Sequence, residues 1–289
     1  MPHLPSSVSV DIGAGGLGVV RVAAPNASAE IYLHGAHVTS WAPAGHEVLW
    51  MSGASRFEAG SAIRGGIPLC FPWFGAHPVV TDAPAHGFAR LRTWELVSAA
   101  EVESTVVVVL RLTDDESTRD SPWPHPFEAR YTVTVGAALT VQLEITNCGD
   151  VDAPFEEAMH TYLAVDDVRR TEVRGLEGVP FVDRLVGPVD AETVPVRFAA
   201  ETDRIYVGTR APVTVHQETS DRRVRITKEG SDATVVWNPW VAKAQSMKDF
   251  GDDEWTGMVC VETCNIREAH VRLPAGKTHT MTAVLTSTP

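Results

Sequence analysis

The chain has 289 residues, 44% hydrophobic and 21% charged, with a net charge of −13 at pH 7. Such a composition belongs to an ordinary soluble globular protein, not to a disordered or membrane-embedded one, and the acidic balance with no offsetting basic run excludes a nucleic-acid surface. A small anionic ligand remains compatible with it where Arg and Lys converge locally.

The length exceeds the usual single-domain size without reaching two full domains, so one domain over 1–289 is expected. Residues 1–7 lack both a basic and a continuous apolar segment, which argues against a secretory signal. Taken in chain order, alternating or β-branched runs at 17–22, 30–41, 105–112, 131–135, 139–146, 213–217, 223–227, 233–237, 258–262 and 278–285 predict strands. The apolar part of the third run, 106–110, is far too short to span a bilayer. Gly, Pro, Asn and Asp punctuate these runs and no long apolar stripe at helical spacing competes, so the predicted class is all-β and antiparallel. The Pro-rich stretch 121–126 and the acidic patch Asp252, Asp253, Glu254 predict loops. No flexible linker, heptad run or internal repeat marks a boundary. Four cysteines do not make a disulfide scaffold, and Cys260 and Cys264 are spaced C-x3-C without a second ligand pair. They are expected to be structural thiols with no metal, in a reducing cytoplasm.

The densest chemistry lies in RGGIPLCFPWFG at 64–75, followed by HGFAR at 86–90. The Arg fork matches phosphate oxygens, while Gly65, Gly66 and Gly75 permit backbone conformations and approaches that a β-carbon blocks. This points to a sugar-phosphate site. Further motifs follow in order: AEIYLHGAHVTSW at 29–41, EAMHTYL at 157–163, GLEG at 175–178, TDRIY at 202–206, NPW at 238–240 and MVCVETCN at 258–265. Together they resemble the aldose 1-epimerase superfamily and, within it, the hexose-6-phosphate mutarotases, also called glucose-6-phosphate 1-epimerases. The resemblance implies a large antiparallel two-sheet β-sandwich of the galactose mutarotase type. It also implies a monomer, no cofactor, and interconversion of the α and β anomers of D-glucose 6-phosphate or other hexose 6-phosphates.

That reaction opens a hemiacetal and recloses it on the other face of the aldehyde, which requires a base at the C1 hydroxyl and an acid at the ring oxygen. Glu262 sits within an otherwise apolar strand, where desolvation would strengthen its carboxylate as a base; a solvent-facing acid is the alternative reading. The family's catalytic glutamate falls at this position. His160 can carry and release a proton near neutral pH, and it occupies the position of the family's catalytic histidine. The resemblance places a second histidine, His86, near the ring oxygen and C1, as a binding group that could also assist catalysis. It places a substrate-binding aspartate at Asp203, for which a turn or capping role is the alternative. Arg64 and Arg90 are expected to hold the 6-phosphate, unless each is a surface arginine with a local carboxylate partner. Lys243 is a weaker phosphate candidate. Phe71, Trp73 and Trp240 fit packing better than a sugar-stacking face. Relatives often carry glutamine immediately before His-Gly-Phe-Ala-Arg, whereas this chain has Ala85, which puts one sugar contact in doubt. Three other readings stay open: a mutarotase of unphosphorylated aldoses, a noncatalytic carbohydrate-binding or metabolic-sensor protein, and a glycoside hydrolase using Asp203 and Glu262.

Overall fold

A computed structural model describes residues 3–288; residue 289 and the first two residues of the amino-terminal stretch lie outside the described residues. Two large antiparallel sheets dominate. One has nine strands in the order Val196–Arg197, Thr171–Arg174, Val213–Gln217, Arg223–Glu229, Thr278–Thr288, Ala138–Asn147, Phe127–Val135, Thr105–Thr113 and Glu95–Val102. The other runs Gly187–Val189, Phe181–Asp183, Thr202–Val207, Ala233–Asn238, Met258–Asn265, Glu157–Met159 and Leu69–Cys70, with Tyr162–Ala164 as an eighth strand pairing on Met258–Asn265. A four-stranded sheet from the first 43 residues and a small pair formed by Ala153–Phe155 and Val271–Leu273 complete the architecture. The class is therefore the all-β, antiparallel, two-sheet arrangement expected from the sequence.

Side-chain alternation explains how the sheets pack. Phe127, Ala129, Tyr131, Val133 and Val135 are buried along one strand while the residues between them are half-buried, and Leu139, Val141, Leu143 and Ile145 repeat the pattern next door. Period-two burial marks a sheet with one face in the core. Met258–Asn265 differs, because all eight of its residues are buried. Its register resolves two faces: Val261 lies opposite Val236, and Thr263 opposite Thr234 and Met159, whereas Glu262 lies opposite Val235, and Cys264 opposite Ala233 and Ala158. Val236, Val261 and Met159 join the core shared with the nine-stranded sheet, while Val235, Ala233, Ala158 and Cys264 form a separate apolar cluster. Glu262 thus points away from the main core.

The run at 30–41 reads as one strand in the sequence but is a hairpin of Ala27–Tyr32 and His37–Pro43. The chain reverses at Gly35 and Ala36, both at positive φ, and apolar alternation on either side hides that turn. Two short helices, Glu116–Arg119 and Trp240–Ser246, were not anticipated. The strand Glu95–Val102 was also missed, because ELVSAAEV is rich in Ala and Glu, which favour strands weakly. Phe71 packs among Phe88, Trp123, Phe127 and Phe155, and Trp240 against Trp255. Trp73 packs against Phe88.

Gly87 joins the two motif segments. Phe71 and Gly87 form an isolated bridge, Phe88 N–H donates to the Phe71 carbonyl at 3.0 Å, and a Cβ on Gly87 would lie 2.0 Å from that carbonyl oxygen. Its φ is 74°, in the left-handed region. The Phe71–Pro72 backbone approaches this glycine closely, and the contact carries His86 and Arg90 across the 64–75 segment. Gly87→Ala should therefore destabilise the fold by at least about 2 kcal/mol, combining left-handed strain with a backbone clash. Urea denaturation measures this, and a variant as stable as wild type would contradict it.

Candidate active site

On the face of the eight-stranded sheet turned away from the core lies a cavity of about 400 Å³. Asp203, Trp237 and Glu262 reach it from three neighbouring strands, and His160 follows the strand Glu157–Met159. Arg64, His86 and Arg90 enter from the two segments clamped at Gly87. All six residues singled out from the sequence line this one cavity. Lys243 lines it too, from the helix Trp240–Ser246.

Glu262 and His160 meet at its inner end, with His160 Nε2 3.4 Å from Glu262 Oε1. Glu262 is 1% exposed, and its Oε2 and the His160 Nδ1 are buried with no hydrogen-bond partner among the described residues. Burial raises the Glu262 carboxyl well above the ordinary carboxylate range, Asp203 adds to the rise, and Arg184 and Arg90 oppose it. Burial likewise pushes the His160 imidazole well below its usual value, with Arg90 and Arg64 adding to the effect. The environment therefore favours the neutral pair, with one proton shared between the two groups and with polar positions left open toward a ligand. Native structures rarely leave buried polar atoms unpaired, and functional sites are where they do.

His86 has a different character. Its backbone sits at φ 65°, and its Nδ1 accepts from the Gly75 N–H at 3.3 Å while Cys70 Sγ lies 3.3 Å from the same nitrogen. Because a backbone N–H can only donate, the neutral ring must carry its proton on Nε2. Burial, with Arg90 and His160 adding, holds the imidazole well below its usual value. His86 is thus built as a fixed hydrogen-bond donor. Asp203 lies inside the strand Thr202–Val207 instead of at a turn, and Arg184 Nη1 donates to its Oδ2 at 3.1 Å. Burial raises the Asp203 carboxyl, and Arg184 opposes that rise.

The arginines divide. Arg64 is gripped by Asp249, with Nη2 3.0 Å from Oδ2, and donates from Nη1 to the Tyr162 hydroxyl at 2.8 Å. It has the local carboxylate partner of the alternative reading, and it also lines the cavity. Arg90 donates from Nη2 to the Ala85 carbonyl at 2.7 Å, its Nε is buried without a partner, and it makes no ion pair among the described residues. Ala85 lines the cavity with no polar side chain to offer a sugar. Four cationic side chains, those of Arg64, Arg90, Arg184 and Lys243, face three carboxyls, those of Glu201, Asp203 and Glu262, and burial favours the protonated form of the last. In a chain of net charge −13 this cavity favours anions.

Sequence reasoning missed Arg184, Glu201, Phe74, Trp237 and Met247 at the cavity, and Tyr162 and Asp249 behind it. Trp237 faces the site because it pairs with Asp203, a register that no local pattern announces. Arg184 lies in the tight turn after Phe181–Asp183, which gives no signal. Cys70, Cys260 and Cys264 are buried free thiols.

Residues 18–286 match the aldose 1-epimerase family, and the chain belongs to that family of sugar isomerases. A Cenchrus ciliaris protein is 35% identical over 265 residues, covering 86% of this chain and 78% of its own length. One from Escherichia coli K12 is 36% identical over 260 residues, covering 87% and 84%. Both carry the provisional name glucose-6-phosphate 1-epimerase. The crystal structure of a protein from Salmonella typhimurium, provisionally described as a mutarotase, superposes with a TM-score of 0.89 at 31% identity over 99% of this chain and 95% of its own. The galactose 1-epimerase of Lactobacillus acidophilus shares the fold at a TM-score of 0.75 and 12% identity, over 99% of each chain. No helix among the described residues is long and apolar enough to cross a membrane.

The Glu262 environment has a signed consequence for stability. In the unfolded chain this carboxyl ionises near its ordinary value, whereas the folded site holds the proton to higher pH. Folding therefore binds a proton as pH rises above the ordinary carboxylate range, and the stability present at lower pH is progressively lost up to the raised folded value. Glu262→Gln removes this penalty. The variant should match wild type near pH 4 and exceed it increasingly above, by at most about 1.4 kcal/mol per pH unit. Urea denaturation at several pH values decides the point, and a difference independent of pH would refute the assigned environment.

Proposed function

We propose that the protein interconverts the α and β anomers of D-glucose 6-phosphate, accepting related hexose 6-phosphates, with Glu262 and His160 as its acid–base pair. In ring opening, ionised Glu262 takes the proton of the C1 hydroxyl as protonated His160 gives one to the ring oxygen, and the C1–O5 bond breaks. Opening leaves the neutral pair. Rotation about C1–C2 presents the other aldehyde face; closure returns the O5 proton to His160 and the Glu262 proton to O1. The pair holds one proton before and after each half-reaction, so no net proton exchange with solvent is needed. His86 donates from Nε2 to a sugar oxygen, and Asp203 accepts from a ring hydroxyl. Arg90 and the remaining N–H groups of Arg64 hold the phosphate, with Lys243 at the rim. The buried free thiols suit a reducing cytoplasm, and the protein acts there as a monomer.

One observation carries this reading: the unpaired carboxyl–imidazole couple shares a cavity with cations in excess of ionised carboxylates. Asp249 on Arg64 favours a second reading, an unphosphorylated aldose, because it offsets one of those cations.

Anomer exchange followed by NMR separates the two. Glu262→Gln and His160→Asn should each lower kcat for glucose 6-phosphate by at least about 10²-fold, with KM changed far less, since positioned proton transfer contributes on the order of 10² to 10⁴. Wild-type turnover in either variant would remove that residue from its role. Arg90→Ala should lower kcat/KM for glucose 6-phosphate by about 10-fold or more, the worth of a charge-assisted hydrogen bond, while glucose is affected little. Equal losses on both sugars would favour the unphosphorylated substrate.

A further inference from the structure

We propose that Tyr162 is the positioning residue of this site, tying the plane of the His160 imidazole to the Arg64 guanidinium. The inference rests on the acid–base reading above and identifies what keeps its acid in line. Side-chain hydrogen bonding constrains the ring weakly: Nδ1 has no side-chain partner among the described residues, and Nε2 has the Glu262 carboxyl at a long 3.4 Å. Aromatic packing takes its place. The Tyr162 ring lies 4.8 Å from the imidazole at an interplanar angle of 14°, while Trp237 and His86 meet it edge-on at 6.1 and 5.6 Å. A near-parallel stack sets the tilt of a flat ring, which edge contacts at longer range do not.

Tyr162 is itself held on three sides. It is 1% exposed, its backbone pairs with Cys260 in the strand that carries Glu262, and its ring stacks with Trp50 at 5.6 Å and 22°. Its hydroxyl accepts from Arg64 Nη1 at 2.8 Å, and Asp249 accepts from Nε and Nη2 of the same guanidinium. Asp249, Arg64, Tyr162 and His160 therefore form one connected row. The group that meets the phosphate and the group that delivers the proton are mechanically joined, and misplacement of a reacting group by about 1 Å can cost about 10²-fold in rate.

Two substitutions divide the roles: Tyr162→Phe keeps the ring and drops the hydroxyl, and Tyr162→Leu drops both. With glucose 6-phosphate, Tyr162→Leu should lose at least about 10-fold in kcat and, lacking the same hydroxyl, show the raised KM expected of Tyr162→Phe. Tyr162→Phe should restore kcat to within about 3-fold while raising KM for glucose 6-phosphate and leaving KM for glucose unchanged. Undiminished kcat in Tyr162→Leu, or a Phe variant as slow as the Leu one, overturns the proposal. Should the Leu variant not fold, the Phe variant decides through KM, and wild-type KM for glucose 6-phosphate there overturns the link to Arg64. A wild-type protein that fails to exchange anomers removes the acid–base reading and this inference with it. Exchange by wild type together with an indifferent Tyr162 removes this inference alone.

Discussion

A carboxyl and an imidazole held 3.4 Å apart, each with a buried polar atom that has no partner among the described residues, is the arrangement around which this cavity is built. Burying either group charged and alone costs several kcal/mol, and the fold meets that cost by leaving the pair neutral with one proton between them. The strand Met258–Asn265 makes the burial unavoidable. It is covered on both faces, one against the second sheet and the other beneath the loops that bring Arg64, His86 and Arg90. A polar residue anywhere on it needs a reason, and at Glu262 the proposed acid–base role supplies one.

The electrostatics around the pair follow from the same packing. Arg90 and Arg64 disfavour a protonated His160, and Arg90 and Arg184 make Glu262 easier to ionise. An anionic ligand lying against those guanidiniums would offset their field and ease protonation of the imidazole, so binding and proton readiness are coupled through charge. His86, whose tautomer Gly75 fixes, stays neutral and adds a directed donor without another titrating group. On the proposed reading, Arg64 and Arg90 divide the phosphate between a guanidinium offset by Asp249 and one with no ion pair among the described residues.

Much of this was legible in the sequence, for identifiable reasons. Long strands such as Phe127–Val135 and Ala138–Asn147 alternate strictly, so their class could be read from local pattern, although their ends extend past the runs first recognised. Glu262 stood out as an acid inside an apolar strand, and His160 and Asp203 through the motifs around them. What stayed hidden depends on register and turn geometry. Trp237 faces the cavity only because it pairs with Asp203, and Arg184 because a three-residue strand ends beside it. The hairpin inside 30–41 was hidden by apolar residues on both sides of Gly35. Tyr162 was visible as a letter of a motif, but its stack on His160 belongs to tertiary structure.

The central claim is one of placement: a single pyranose must touch both members of the pair with its reacting oxygens. A crystal structure with glucose 6-phosphate bound tests this most directly. The account predicts O1 within hydrogen-bond distance of the Glu262 carboxyl, O5 within the same reach of the His160 imidazole, and the phosphate on Arg90 and Arg64. A sugar seated with its anomeric carbon away from both side chains, or with its phosphate turned from the guanidiniums, would contradict it.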